Sequence, residues 1–190
     1  MLVSDDYRFV FHHVPKTGGT SITSVLSKYC REYEGKLPQH KPVIDCIDEP
    51  KEYFSFAFVR NPFDRVVSAW ENYLQSGPFV ISNNYKKAET FDEFVERDVC
   101  GGISIVSECP TQFSYLSDGS KILVDHVGRF ENLTEDFYKI IGIIKVPLSI
   151  LPKKNSGTLS GNYRNYYSTK SEKLVENYFE EDLNCFQYEF

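Results

Sequence analysis

A segment that follows the first apolar run of the chain combines one lysine, two adjacent glycines and three hydroxyl side chains: Pro15, Lys16, Thr17, Gly18, Gly19, Thr20 and Ser21. Glycine lets the backbone bend tightly and approach an anion without a Cβ in the way. Lys16 adds a mobile positive charge, and the hydroxyls of Thr20 and Ser21 add hydrogen-bond donors. These residue types predict a binding site for a phosphate or sulfate group.

A strand and a helix are predicted on either side of this segment. The apolar run that begins at Phe9 is typical of a buried strand, and an apolar face repeats afterwards at helical spacing, from Ile22 to Tyr29. This order points backbone N–H groups and the positive end of a helix dipole at one small volume. A Walker A loop is excluded because that motif places its lysine after the last glycine, whereas Lys16 precedes the glycine pair.

A second strand-to-helix junction carries Arg60. The run Phe54–Val59 predicts a central strand, and the following helix is predicted to begin at Pro62 with Asn61 as its N-cap. Ser68 lies two turns into that helix. A guanidinium fork and a hydroxyl both suit phosphate oxygens, so Arg60 and Ser68 predict a second anion site. Two anion sites on neighbouring strands indicate a nucleotide with phosphates at both ends.

The rest of the chain continues the alternation of strands and helices. We expect a third strand over residues 121–126, a helix over 134–144, an irregular stretch over 100–112 and a long loop over 147–167. A last helix opens with a capping box formed by Thr169 and Glu172. Repeated strand-to-helix units imply an α/β fold with a parallel sheet, whose ligands bind at the carboxyl ends of its strands. We expect a single domain over residues 1–190.

Composition and charge exclude several classes of protein. With a net charge of −6, the chain lacks the basic excess of a general nucleic-acid-binding protein, so no nucleic-acid partner is expected. No apolar run reaches the roughly 18 residues that a membrane helix needs, and no signal peptide precedes the first strand, so we expect a cytoplasmic protein. Five cysteines without a CxxC spacing favour free thiols over a metal site or a disulfide framework.

The two junctions together resemble those of the sulfotransferase family. Residues 15–21 are similar to the family's 5′-phosphosulfate-binding loop, and residues 58–69 are similar to its 3′-phosphate-binding strand and helix. The resemblance implies a P-loop NTPase-like three-layer fold, with a central parallel sheet flanked by helices.

Later segments resemble one branch of this family, which contains the carbohydrate (Golgi-type) sulfotransferases and their small bacterial relatives. Residues 127–133, 163–167 and 181–188 are similar to that branch, although glycine is more usual where Gln187 stands. The resemblance therefore covers nearly the whole chain.

The resemblance implies a cofactor, an acceptor and the residues that bind them. The donor would be 3′-phosphoadenosine-5′-phosphosulfate (PAPS), its product PAP, and the acceptor a hydroxyl group of a carbohydrate; no metal is implied. Lys16 would contact the phosphosulfate and its bridging oxygen, and the N–H groups of residues 17–21 would cradle the 5′ end. Residues 155–164 would close over the nucleotide. The nucleotide-binding set is Lys16, Thr17, Gly18, Gly19, Thr20, Ser21, Arg60 and Ser68, with Lys154 or Arg164 as a further phosphate contact.

Sulfuryl transfer also needs a group that takes the proton of the acceptor hydroxyl, and histidine suits this role near neutral pH. The chain has four histidines: His12, His13, His40 and His126. In the resembled branch a histidine ahead of the phosphate-binding strand acts as the base, which implies that His40 is catalytic together with Lys16. Asp45 is the alternative base.

Two other functions stay open at this point. A P-loop nucleotide kinase or NTPase is disfavoured by the position of Lys16 and by the lack of a clear magnesium-binding carboxylate. A non-catalytic nucleotide- or glycan-binding module is disfavoured because Lys16 and His40 are both present.

Overall fold

Four β-strands form one mixed sheet in sequence order: β1 (Leu2–Ser4), β2 (Phe9–His12), β3 (Phe54–Val59) and β4 (His126–Arg129). The computed structural model describes residues 1–31, 42–46, 52–76, 87–101, 111–147, 150–152 and 162–190. Strands β2, β3 and β4 are parallel, and β1 pairs antiparallel with β2. The predicted parallel sheet is therefore confirmed for three strands. The antiparallel strand was missed because it is only three residues long.

The register brings the carboxyl ends of the three parallel strands to one edge of the sheet. His12 pairs with Ala57, and Val59 pairs with Arg129. The chain therefore leaves β2, β3 and β4 at neighbouring points, which is the edge where parallel α/β sheets bind their ligands.

The α-helices in the described ranges are, in chain order, α1 (Gly19–Leu26), α2 (Pro62–Ser76), α3 (Phe91–Glu93), α4 (Gln112–Leu116), α5 (Leu133–Ile144), α6 (Thr169–Tyr178) and α7 (Glu180–Phe186). A π-helical segment (Phe94–Val99) continues α3, and the described ranges also contain four short 3-10 turns: Ser27–Tyr29, Val43–Asp45, Phe130–Asn132 and Tyr163–Tyr166. None of these helices is long and apolar enough to cross a membrane.

Two compact units make up the chain. The first unit comprises Met1–Arg60 and Gln112–Ser156, and the second unit comprises Asn61–Thr111 and Gly157–Phe190. The expectation of a single domain over residues 1–190 stays a prediction.

Alternate phenylalanines of the sheet build the core of the first unit. Because side chains alternate between the two faces of a strand, the phenylalanines of β2 and β3 share one face. They pack there against the apolar faces of α1 and α5, and each is fully buried: Phe9, Phe11, Phe56, Phe58, Ile22, Leu26, Phe137 and Ile140. Burial of each such side chain contributes roughly 1.5–3 kcal/mol.

Helix α2 begins as the sequence predicts and supplies the core of the second unit. The Phe63 N–H donates to Asn61 Oδ1 at 3.0 Å, so Asn61 is the N-cap. Trp70 lies on the buried face, stacked on Tyr73 with ring centroids 5.4 Å apart. Phe91 of α3, Phe94 of the π-helical segment and Val175 of α6 pack into the same cluster.

The predicted third strand over residues 121–126 is wrong. Strand β4 begins at His126, and Ile122 instead forms an isolated bridge with Ser117. The strand contains Gly128, at which an ideal Cβ would lie 2.5 Å from Cε1 of Phe58. The apolar residues before β4 have a stronger local preference for a strand than β4 itself. Gly128 is needed in β4 because a Cβ at that position would overlap the Phe58 ring.

Two helix starts also differ from expectation. The capping box of α6 is formed by Ser168 and Ser171, one residue before the predicted pair of Thr169 and Glu172. Helix α4 lies at the end of the stretch that was expected to be irregular, and its first residue is Gln112.

The described cysteines, Cys30, Cys46, Cys100 and Cys185, are free thiols, as expected. Cys109 lies outside the described residues.

His12 is a buried histidine at the end of β2. Its exposed fraction is 3%, and its Nδ1 atom has no hydrogen-bond partner among the described residues. Burial disfavours the charged imidazolium and lowers the pKa of His12 to about 4.

His12 should therefore make the fold sensitive to acid. Its pKa is near 6.5 in an unfolded chain, so the unfolded state binds a proton first and stability falls as the pH drops from about 6.5 towards 4. We expect a loss of about 2 kcal/mol between pH 7.5 and pH 5, measured by urea denaturation, and this loss should vanish in His12→Gln. The control is His126→Gln, at the partly exposed start of β4. This variant should lose stability between pH 7.5 and pH 5 as the wild type does. Equal acid sensitivity in wild type and His12→Gln would contradict the assignment.

Candidate functional site

The loop between β2 and α1 holds two residues in the left-handed backbone conformation. Lys16 has a φ of 66° and Gly18 a φ of 82°. Positive φ is uncommon for a lysine because its Cβ crowds the backbone. Such residues turn successive backbone N–H groups into a concave anion-binding nest. Held strain of this kind is concentrated at functional sites.

Helix α1 opens directly from this loop. Gly18 is its N-cap residue, and among the described residues no side chain caps it. The Ser21 N–H donates to the Gly18 carbonyl oxygen at 3.0 Å, so this group closes the first helical turn. The N–H groups before it belong to the helix end, where backbone donors lack partners within the helix. The anion-binding role predicted for the N–H groups of residues 17–21 stays a prediction.

Thr17 fixes the loop from inside. Its side chain is fully buried, and its hydroxyl donates to the Val14 carbonyl oxygen at 2.8 Å. This hydrogen bond uses the Thr17 hydroxyl to stabilise the turn. The anion-binding role predicted for Thr17 concerns its backbone N–H group.

Gly19 is needed because His13 lies against it. An ideal Cβ on Gly19 would lie 1.9 Å from His13 Cδ2 and 2.0 Å from His13 Nε2. The His13 ring in turn stacks on Phe11, with ring centroids 5.8 Å apart. His13 is therefore a packing residue of the loop in this structure.

Gly18 approaches the residues that follow β4 in the same way. An ideal Cβ on Gly18 would lie 2.9 Å from Leu133 Cδ2 and 3.2 Å from Phe130 Cδ2. Together the two glycines allow the loop to pack closely against the side chains of His13, Phe130 and Leu133.

Arg60 follows β3, and its guanidinium lies beside the loop. Its Nη1 donates to the Lys16 carbonyl oxygen at 3.4 Å, and its Cζ lies 4.0 Å from the centroid of the Phe130 ring. A cation–π contact of this kind contributes about 0.5–2 kcal/mol. The structure thus brings Lys16 and Arg60, which were predicted for two separate anions, together at adjoining strand ends.

The main chain of Arg60 is held by Gln112. The Arg60 N–H donates to Gln112 Oε1 at 2.8 Å, and Gln112 Nε2 donates to the Arg60 carbonyl oxygen at 2.9 Å. The Gln112 side chain is fully buried.

Sequence reasoning missed both Phe130 and Gln112. Phe130 directly follows β4, but the strand was predicted too early for Phe130 to appear as a strand-end residue. Gln112 begins a five-residue helix that no capping or periodic signal marks. A correct placement of β4 would have found Phe130, whereas the contact with Gln112 depends on tertiary structure.

Two residues that were predicted to bind the nucleotide belong to the second unit. Ser68 is half-buried in α2, and Arg164 is exposed in the Tyr163–Tyr166 turn. The Arg164 guanidinium lies over two aromatic rings, 4.7 Å from the Tyr163 centroid and 5.5 Å from that of Phe190. The nucleotide-binding roles of Ser68 and Arg164 stay predictions.

Two further predicted residues, His40 and Lys154, lie outside the described residues. The alternative base, Asp45, is exposed in the Val43–Asp45 turn of the first unit. Within the described ranges no group of three or more His, Cys, Asp or Glu side chains is placed to hold a metal ion.

Gly19→Ala tests the close packing of the loop. The added Cβ would overlap the His13 ring and force it off Phe11, so we expect a loss of about 1–3 kcal/mol in the free energy of unfolding. The matched control is Gly142→Ala in α5, where nothing lies within 4 Å of the ideal Cβ. There we expect a gain of about 0.5–1 kcal/mol. Urea denaturation of both variants measures the difference, and equal stabilities would contradict the packing described.

Known proteins are similar in sequence to this chain. A model of the sulfotransferase family matches residues 1–189. Mouse (Mus musculus) carbohydrate sulfotransferase 14 is 26% identical over 176 residues, covering 77% of this chain and 47% of the relative. The human (Homo sapiens) protein of the same name is 25% identical over the same shares. The chain thus spans about half the length of the curated relatives it matches.

A solved structure extends the likeness to the fold. Mouse sulfotransferase SULT7A1, solved in complex with PAP, aligns with a TM-score of 0.59 at 13% identity, covering 98% of this chain and 90% of that chain. The predicted α/β, P-loop-like fold class is confirmed, with a mixed and mostly parallel sheet flanked by helices. With a family model that matches nearly every residue, the chain belongs to the sulfotransferase family.

Proposed function

We propose that this chain is a PAPS-dependent sulfotransferase that transfers a sulfuryl group to a hydroxyl group of a carbohydrate. The observation that carries the proposal is the loop of residues 13–18, in which Lys16 contacts Arg60 and Gly18 precedes a helix that no side chain caps among the described residues. Family membership supports the activity. The PAP in the structure of mouse SULT7A1 supports the nucleotide, and the names of the curated relatives support the carbohydrate.

The loop suits the 5′ end of the nucleotide. The left-handed residues Lys16 and Gly18 shape a nest for an anion, and the N-terminus of α1 favours negative charge at the same place.

Lys16 and the backbone donors would act on the leaving group. PAPS supplies the sulfuryl group, and negative charge develops on the bridging phosphate oxygen as the bond from sulfur to that oxygen breaks. The Lys16 ammonium and the N–H groups of residues 17–21 would offset this charge. Because the loop is fixed by Thr17 and His13, these donors would need little reorganisation during the reaction.

Arg60 suits the 3′-phosphate. A guanidinium carries five N–H donors in one plane. Its planar fork suits two phosphate oxygens at once. We propose that Arg60 distinguishes a nucleotide that bears a 3′-phosphate from one that lacks it.

His40 is the proposed general base. It would take the proton of the acceptor hydroxyl while that oxygen attacks sulfur in line with the leaving oxygen. The proposal rests on the sequence resemblance, and Asp45 is the alternative.

Lys16→Ala tests the activity. We expect the wild-type protein to bind PAP more tightly than ATP with Mg²⁺ by calorimetry. It should release PAP from PAPS in the presence of a panel of sugar acceptors, measured by mass spectrometry. Lys16→Ala should lower the rate by about 100-fold to 1,000-fold, because it removes a charge that acts on the leaving oxygen.

The matched control is Lys28→Ala, in the turn after α1, where the ammonium lies 4.8 Å from the Tyr29 ring centroid. This variant should keep the wild-type rate. Tighter binding of ATP than of PAP, or full activity of Lys16→Ala, would overturn the proposed function.

His40→Ala tests the base separately from nucleotide binding. We expect the rate of sulfuryl transfer to fall by about 100-fold to 10,000-fold while the affinity for PAP stays unchanged. Asp45→Asn serves as the comparison and should keep its activity. If Asp45→Asn loses activity and His40→Ala does not, the base is Asp45.

A further inference from the structure

Gln112 takes the place of a neighbouring strand at the point where the sheet stops. The β3–β4 ladder ends with the pair of Val59 and Arg129, after which β4 turns into the Phe130–Asn132 turn. Arg60 directly follows the last residue of β3. The N–H and carbonyl groups of one extended residue point to the same side, so a primary amide matches them as the next residue of a strand would.

The amide of Gln112 meets both of these backbone groups with good geometry. Its oxygen accepts from the Arg60 N–H at 2.8 Å, and its nitrogen donates to the Arg60 carbonyl oxygen at 2.9 Å. The side chain is fully buried. A buried amide is costly unless it is hydrogen-bonded, and so are the backbone groups that it satisfies. This pair of bonds therefore fixes where the Arg60 main chain lies.

Arg60 is thus held at both ends. Gln112 fixes its backbone, while the Lys16 carbonyl oxygen and the Phe130 ring hold its guanidinium. An arginine side chain is long and flexible, and fixing both ends removes much of the conformational freedom it would lose on binding a phosphate. The direction of the guanidinium then depends on Gln112, which itself lies on a different element of the same unit.

We propose that Gln112 is a positioning residue for recognition of the 3′-phosphate, acting through the backbone of Arg60. The inference rests on the proposed function, because it requires Arg60 to bind that phosphate. Gln112 does not touch the nucleotide in this scheme. Its loss should weaken only those ligands that use Arg60.

The test compares two nucleotides that differ in the 3′-phosphate. Calorimetry measures the affinity of wild type, Gln112→Met, Arg60→Ala and the double variant for PAP and for AMP, which has a 5′-phosphate but no 3′-phosphate. Methionine has a similar length and lacks both hydrogen bonds. We expect Gln112→Met to bind PAP about tenfold more weakly and to bind AMP as wild type does. In the Arg60→Ala background the substitution should change nothing further.

Two controls keep the result interpretable. Gln75→Met on the exposed surface of α2 makes the same chemical change at a residue outside the proposed site and should leave PAP affinity unaltered. If Gln112→Met fails to fold, Gln112→Glu takes its place, since it keeps an acceptor for the Arg60 N–H but loses the donor to the carbonyl oxygen. It should show the same selective loss for PAP.

The outcomes separate this inference from the proposed function. Wild-type affinity of Gln112→Met for PAP, equal losses for PAP and AMP, or a loss that persists beside Arg60→Ala would each overturn the inference alone. If the wild-type protein binds PAP no better than AMP, the proposed function of Arg60 fails and the inference fails with it.

Discussion

The absence of two Cβ atoms is the constraint on which the site depends. Gly18 and Gly19 lie so close to Leu133 and His13 that a side chain at either position would overlap its neighbour. The loop can therefore pack closely against Leu133 and the His13 ring, and among the described residues no side chain caps the helix that follows. A helix end of this kind favours a bound anion, because its first N–H groups have no partner within the helix.

The strand ends around that loop form one connected arrangement. The loop follows β2, Arg60 follows β3 and Phe130 follows β4, so three neighbouring strands each contribute one part. Arg60 joins the other two, since it contacts the Lys16 carbonyl oxygen and lies over the Phe130 ring. A substitution at any of the three strand ends should therefore alter the positions of the residues at the other two.

In the second unit, polar and aromatic contacts fix the start of α2. Asn61 caps the helix with its oxygen, and its nitrogen donates to the Glu189 carbonyl oxygen at 2.8 Å. Phe190 packs on Phe63 with ring centroids 4.8 Å apart. Gln187 has a φ of 54°, a left-handed conformation directly after α7 that glycine adopts without the crowding of a Cβ.

Local signals in the sequence determined the loop, both strand-to-helix junctions and the family. Each of these depends on residues that are adjacent in the chain, such as a glycine pair before a helical apolar face or an Asn-Pro start. The sequence failed at β4, where a strand with little local preference is held by pairing with β3 and by the fit of Gly128 against Phe58. Only the tertiary structure decided that Lys16, Arg60, Phe130 and Gln112 meet. Their contacts join residues that are at least 44 positions apart in the chain, and no local pattern encodes contacts over such separations.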